Sequence, residues 1–321
     1  MRERTLSACL RALRASGGFG LVLARALSVA AVAALPAAGC GGGADPTAPP
    51  DPGGQSLDEP VALDLMSPED RYKGFPGGLV DNGTPTVTPT RGRLVIISIS
   101  MSNGQQEFAR FIGLFAGDAA VDPAIGLVNC ARGGNALENW LQKQSLWDDC
   151  KTKVLNAGFD LDQIKVVWAK DADQFTSQST TLPDPDADYF HLVDNISALS
   201  QRIGQEFPSV QAIFHTSRIY GGYVAQPNQR ARGEPISYEG GLAINEVIRR
   251  QQRGELPRAP WVGWGPYLWA DGTTPNGSGL FWVPADFEGT GGDNPHPSLA
   301  GETKVAGALQ SFFLRFDWYA R

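Results

Sequence analysis

The sequence predicts an α/β domain of three layers, with a mostly parallel sheet of about five strands between two layers of helices. Two observations carry this. Short apolar runs rich in Val and Ile recur between residues 94 and 265, and stretches of helical periodicity separate them. The runs are also apolar throughout rather than alternating, which marks strands buried on both faces of a parallel sheet.

Taken in order, Leu94–Ser100 (LVIISIS) is the first strand, and Gln105–Phe115 is a helix with Phe108, Phe111, Ile112 and Phe115 on one face. Ala124–Cys130 is the second strand. Asn135 to about Asn156 reads as helical with a break near Trp147, and Ile164–Ala169 is the third strand. Tyr189–Phe207 places Ile196, Leu199 and Ile203 on one helical face, ahead of a fourth strand at Val210–Thr216. A helix over Tyr238–Arg253, a short fifth strand over Pro260–Gly265 and a helix over Leu299–Phe316 follow, the last N-capped by Ser298. Helices of this length between strands are the crossovers that parallel pairing needs.

The ends of the chain read differently. In residues 1–39, Arg2, Arg4, Arg11, Arg14 and Arg25 precede ALSVAAVAALPAAG, an apolar stretch too short to span a bilayer. This is the pattern of an export signal, and AAGC ending at Cys40 is a candidate lipid-attachment site. Residues 40–57, rich in Gly and Pro, form a tether, and 58–321 form the domain, with 58–92 as a loop-rich wrap. The expectation is an exported lipoprotein of the cell envelope, with ordinary secretion as the alternative. The formal charge is −7 although residues 1–39 hold five Arg against Glu3, so the rest is more acidic still. With no basic cluster, nucleic-acid binding is not expected. Cys130 and Cys150 are a candidate disulfide, the alternative being two separate thiols. No metal-ligand spacing and no cofactor motif is present.

Residues just past the strand carboxyl ends of such a sheet gather on one edge, where α/β folds bind ligands. Here that edge receives Ser102-Asn103, ARGGN (131–135), KDAD (170–173), SRIYGGY (217–223), GPYLWADG (265–272) and GGDNPHPS (291–298). Ser102 and Asn103 are ordinary helix-capping residues. Ser102 is also placed to be a nucleophile, with Asp293 and His296 three apart in a Gly/Pro-rich loop to supply an acid and a base. The adjacent Gly133 and Gly134 allow a backbone N–H to approach a substrate oxyanion closely.

SMSN, RGGN and DNPH, in that order, resemble the sequence blocks of the SGNH (GDSL-like) hydrolase superfamily. SMSN is similar to the G-Q-S-N variant found in carbohydrate acetylesterases. YKGFPGGL, SMSNGQQEF, KVVWAKDAD, SRIYGGY and APWVGWGPYLWADG further resemble an uncharacterised exported bacterial group of this type. The resemblance implies a flavodoxin-like sheet and a serine esterase acting on an acylated carbohydrate or envelope glycan. Ser102 would be the nucleophile, His296 the base and Asp293 its orienting acid, with Gly134 or Gly133 donating to the oxyanion. Two blocks depart from the pattern. Ser100 and Met101 stand where the variant has Gly and Gln, and Ala172 stands where the third block offers an oxyanion-donating Asn. Asn135, Asn103 and Lys170 are candidates to replace that donor, and Arg132, Lys170, Arg218, Tyr220, Trp269 and Asp271 are candidates to line the substrate cleft. A catalytically weak scaffold that binds glycan is the alternative reading.

Overall fold

The computed structural model describes residues 60–61, 72–73, 78–173, 182, 184–224, 233–289 and 295–321. The predicted signal, the tether and Cys40 lie outside the described residues. Strands β1 (Pro60–Val61) and β2 (Tyr72–Lys73) form a small antiparallel pair. The main sheet holds β3 (Leu94–Ser100), β4 (Ile125–Asn129), β5 (Ile164–Lys170), β6 (Ala212–His215) and β7 (Trp261–Trp264). Every pairing in it is parallel, in the order β4-β3-β5-β6-β7. Counted along this sheet alone the order is 2-1-3-4-5, the flavodoxin-like topology that the resemblance implied.

All seven residues of β3 and all seven of β5 are buried, as two-sided coverage requires, whereas β4 at the edge alternates between buried and half-buried. Helices α1 (Ser102–Phe115) and α6 (Leu299–Phe313) cover one face. Phe108 stacks on Trp168 with ring centroids 5.5 Å apart, and Phe214 meets Phe312 edge-on at 5.0 Å. Helices α2 (Leu137–Gln142), α3 (Gln144–Asn156), α4 (Asp188–Glu206) and α5 (Ile236–Gln252) cover the other face. Residues 78–89 carry no helix or strand. They are tied to α5 by Asn245, which accepts from the Val80 N–H at 2.7 Å and donates to Gly78 O at 2.9 Å.

The expected elements are present, with edges moved. The break in the second helical stretch falls at Lys143 rather than Trp147. Lys143 is extended there, while Trp147 is fully buried inside α3 with its indole N–H on Trp140 O at 2.8 Å. The last helix ends at Phe313, three residues early, and turns replace its predicted final turn. Cys130 and Cys150 are disulfide-bonded with Cα atoms 4.9 Å apart, joining the exit of β4 to α3. Closing a loop of this length contributes roughly 3 kcal/mol by the chain-entropy account.

The carboxyl edge is locked by charge. Lys170 ends β5 and Glu107 lies in α1, and their side chains form an ion pair at 1% and 0% exposure. Burial pushes the Lys170 ammonium toward the neutral form and the Glu107 carboxylate opposes this. Lys170→Met alone leaves a buried carboxylate unpaired and is expected to destabilise the fold by about 3–5 kcal/mol. Glu107→Leu/Lys170→Met is expected to recover most of that loss, measured by urea unfolding.

Candidate active site

Ser102 is the first residue of α1, with Met101 in the cap position and no side-chain cap hydrogen bond. Its hydroxyl therefore does not serve as a helix cap. Instead Ser102 Oγ lies 2.7 Å from His296 Nε2, across 194 residues of chain. Both residues are half-buried.

The position of Ser102 follows from how closely α1 approaches β3. A Cβ on Gly104 would lie 2.0 Å from Ser100 Oγ, so only glycine allows the first turn of α1 to come this near the strand end. Ser100 Oγ itself donates to Lys170 O, and Ser100 O accepts the Arg132 N–H at 3.0 Å and the Trp140 indole N–H at 3.2 Å. The strand end that delivers the serine is thus tied to β5, to the 131–135 loop and to α2.

The segment carrying His296 is held from three sides. Asn103 Nδ2 donates to Pro295 O at 2.8 Å, Glu288 N donates to His296 O at 2.9 Å, and Ser298 N donates to Asp286 O at 2.8 Å. Ser298 also caps α6 by accepting from Gly301 N, as the sequence predicted. Asp293, the predicted orienting acid, lies outside the described residues.

Ser102 and His296 open on a cavity of about 200 Å³, lined also by Met101, Asn103, Gly134, Asn135, Ala136, Ala172, Asp173 and Arg218. It lies at the carboxyl ends of β3 and β5, where the chain leaves for opposite sides of the sheet. Gly134 has φ +73° and reaches this cavity. Among the described residues no group of His, Cys, Asp and Glu side chains is arranged to hold a metal ion.

Several expectations need correction. Gly133 donates its backbone N–H to Gln105 Oε1 at 2.7 Å, and of the two glycines it is Gly134 that borders the cavity. Asn103 spends its amide on Pro295 and acts as a clamp for the histidine segment. Asn135 lines the cavity, but its Nδ2 donates to Gly133 O of its own loop at 3.0 Å. Lys170 is sequestered by Glu107 and reaches neither oxyanion nor cleft, because its strand end is buried against α1. Arg132 points outward to Asp149 at 3.3 Å. Tyr220, Trp269 and Asp271 do not line the cavity. Trp269 donates its indole N–H to Glu234 Oε1 at 2.9 Å and Tyr220 packs on Tyr223 at 5.0 Å, while Asp271 and Trp269 border a separate shallow hollow. Of the proposed lining residues Arg218 alone is in place.

The sequence reading singled out neither Asp173 nor Glu107. Asp173 belongs to the KDAD stretch and was identifiable as a residue two past a strand end. Burial raises its carboxyl to about 6, the largest of several causes, against a hydrogen bond from Asn195 Nδ2 at 2.9 Å that lowers it. Asn103→Ala is expected to cost about 1–3 kcal/mol by leaving a buried acceptor unsatisfied. It should also speed hydrogen exchange at Glu288, whose N–H pairs with His296 O, and at Ser298, whose N–H ties the histidine segment to Asp286 O, and mass spectrometry can read both sites.

No protein-family model matches the chain, and no curated protein is significantly similar to it. Among solved structures, a variant of an acetyl xylan esterase from Geobacillus stearothermophilus is 17% identical with a TM-score of 0.40, over 68% of this chain and 93% of its own. A protein named as a GDSL-like lipase from Parabacteroides merdae is 11% identical with a TM-score of 0.38, over 71% of this chain and 98% of its own. At this level of similarity neither carries weight for the chemistry, which rests on the geometry of the site.

Proposed function

We propose that this protein is a serine esterase that removes an acyl group from a carbohydrate or envelope glycan, exported and anchored through Cys40. The observation that carries the hydrolase reading is the 2.7 Å contact between Ser102 Oγ and His296 Nε2 at the mouth of a cavity on the carboxyl edge of the sheet. A serine hydroxyl is a weak nucleophile until a base takes its proton, and this is the distance at which an imidazole can do so. With Nε2 unprotonated, Ser102 Oγ–H donates to it.

Attack on the ester carbonyl moves that proton to His296 and leaves a tetrahedral oxyanion. The N–H groups of the first turn of α1 have no acceptor within the helix, and the Gly134 backbone borders the same cavity. His296 then returns the proton to the leaving alkoxide, and water repeats the sequence on the acyl-enzyme. Asp293 is assigned the role of orienting His296 on the D-x-x-H spacing alone. The carbohydrate part of the reading rests on the G-Q-S-N-like block and on a cavity that offers polar partners from Arg218, Asn135 and Asp173.

A fluorophosphonate probe should label Ser102, located by peptide mapping, and Ser102→Ala should abolish the label. His296→Ala should lower kcat/KM on an activated acetyl ester by at least about 10³-fold. Label that persists in Ser102→Ala, or a folded protein that takes none, would sink the catalytic assignment and favour a glycan-binding scaffold.

A further inference from the structure

The cavity that holds Ser102 and His296 has a wall that the reaction does not use. Asp173 lines it from the segment after β5, and its Oδ1 is fixed by Asn195 Nδ2 at 2.9 Å from α4. Other acids stand near it. Asp171 lies two residues earlier, Glu138 faces it from α2 and Asp188 from α4, with His191 of α4 acting in the opposite sense. Both oxygens of Asp171 are buried with no hydrogen-bond partner among the described residues, and burial pushes that carboxyl far up. Asp173, shifted only to about 6, is ionised at neutral pH, so the negative charge bordering the cavity on this side is its own. Arg218 lines the same cavity.

We propose that Asp173 is a specificity-determining residue, which selects neutral, hydroxyl-bearing esters and rejects esters that carry a carboxylate close to the scissile bond. The inference rests on the esterase reading above. A fixed carboxylate can only accept hydrogen bonds, and a sugar hydroxyl can donate one to it. A substrate carboxylate brings no donor and a like charge into a site partly withdrawn from water, where repulsion is larger than in bulk. Glu138 and Asp188, which act on Asp173 in the same sense, add to the repulsion of a second anion, while Arg218 borders the same cavity.

The test is a ratio, so that losses common to both substrates cancel. Methyl 3-O-acetyl-glucoside and methyl 3-O-acetyl-glucuronoside differ only in a CH2OH against a carboxylate. At pH 7.5 the unaltered protein is expected to favour the neutral glycoside in kcat/KM by roughly tenfold or more. Asp173→Asn keeps the shape and the Asn195 contact but removes the charge, and it should bring the ratio to within about threefold. Asp173→Ser, which shares no amide, should do the same. Asp149→Asn changes the net charge equally but lies on α3, paired with Arg132 and Lys153, and should leave the ratio in place. Fluorophosphonate labelling of Ser102 in each variant reports an intact site.

A ratio near one in the unaltered protein would overturn the proposal. So would a ratio unmoved in labelled Asp173→Asn and Asp173→Ser, or one moved as far by Asp149→Asn. If the unaltered protein takes no label and cleaves neither glycoside, the esterase reading falls and this inference falls with it.

Discussion

The site depends on an ion pair that never touches it. Glu107 and Lys170 meet with essentially no exposure, one from α1 and one from the last position of β5. Two charges withdrawn from water are tolerated only in a geometry that satisfies both, so the pair admits little sliding of α1 along the sheet. Ser102 and Asn103 lie one turn before Glu107 on the same helix. The constraint that holds Glu107 therefore sets where the serine hydroxyl can be. Gly104 adds a second limit, since any side chain there would collide with Ser100. The helix is held to β5 by charge at one turn and to β3 by close contact at the turn before it.

The histidine arrives from the far end of the chain, and its segment borrows order from the serine's neighbourhood. Asn103 accounts for much of this, because the residue after Ser102 clamps the residue before His296 through the Pro295 carbonyl. Gln106, one turn along α1, donates to Glu288 Oε1 at 3.0 Å, and Glu288 in turn holds the His296 carbonyl. A shift of α1 would thus carry serine and histidine together, which preserves their separation better than two independent anchors would.

The alternation of apolar runs and helical periods made the sheet legible, because strands covered on both faces have little freedom to be anything but apolar. Ser102 and His296 were legible for a related reason: chain order and strand ends fix which residues reach the edge. Their neighbours were less so. Lys170 ends a strand and Arg132, Asp271, Tyr220 and Trp269 follow strand ends, and position alone could not tell a cleft wall from a buried partner. Lys170 is claimed by Glu107 and Trp269 by Glu234, both choices made by tertiary packing. Gly133 and Gly134 were equivalent in sequence, and it is the fold that separates them, engaging Gly133 with the Gln105 side chain and placing Gly134 at the cavity. The break at Lys143 rather than Trp147 has the same origin, since the demand to bury Trp147 outweighs any local preference there.

Ala172 shows what the site must manage without. It is buried at the cavity wall, and its carbonyl accepts the Leu137 N–H at 3.2 Å, so it contributes packing and a backbone tie but no side-chain donor. With the Gly133 N–H occupied, Asn103 committed to Pro295, Asn135 donating to its own loop and Lys170 sequestered, the groups that could have replaced a donor are mostly engaged elsewhere. On the proposed esterase reading, stabilisation of a developing oxyanion falls chiefly to backbone N–H groups at the start of α1 and at Gly134. Such donors are fixed in place by the fold and need no reorganisation during the reaction. Their alignment is set by the approach of α1 to β3, which returns the chemistry to the packing around Gly104 and the Glu107–Lys170 pair. On that reading the precision of the backbone stands in for a side chain that the sequence does not supply.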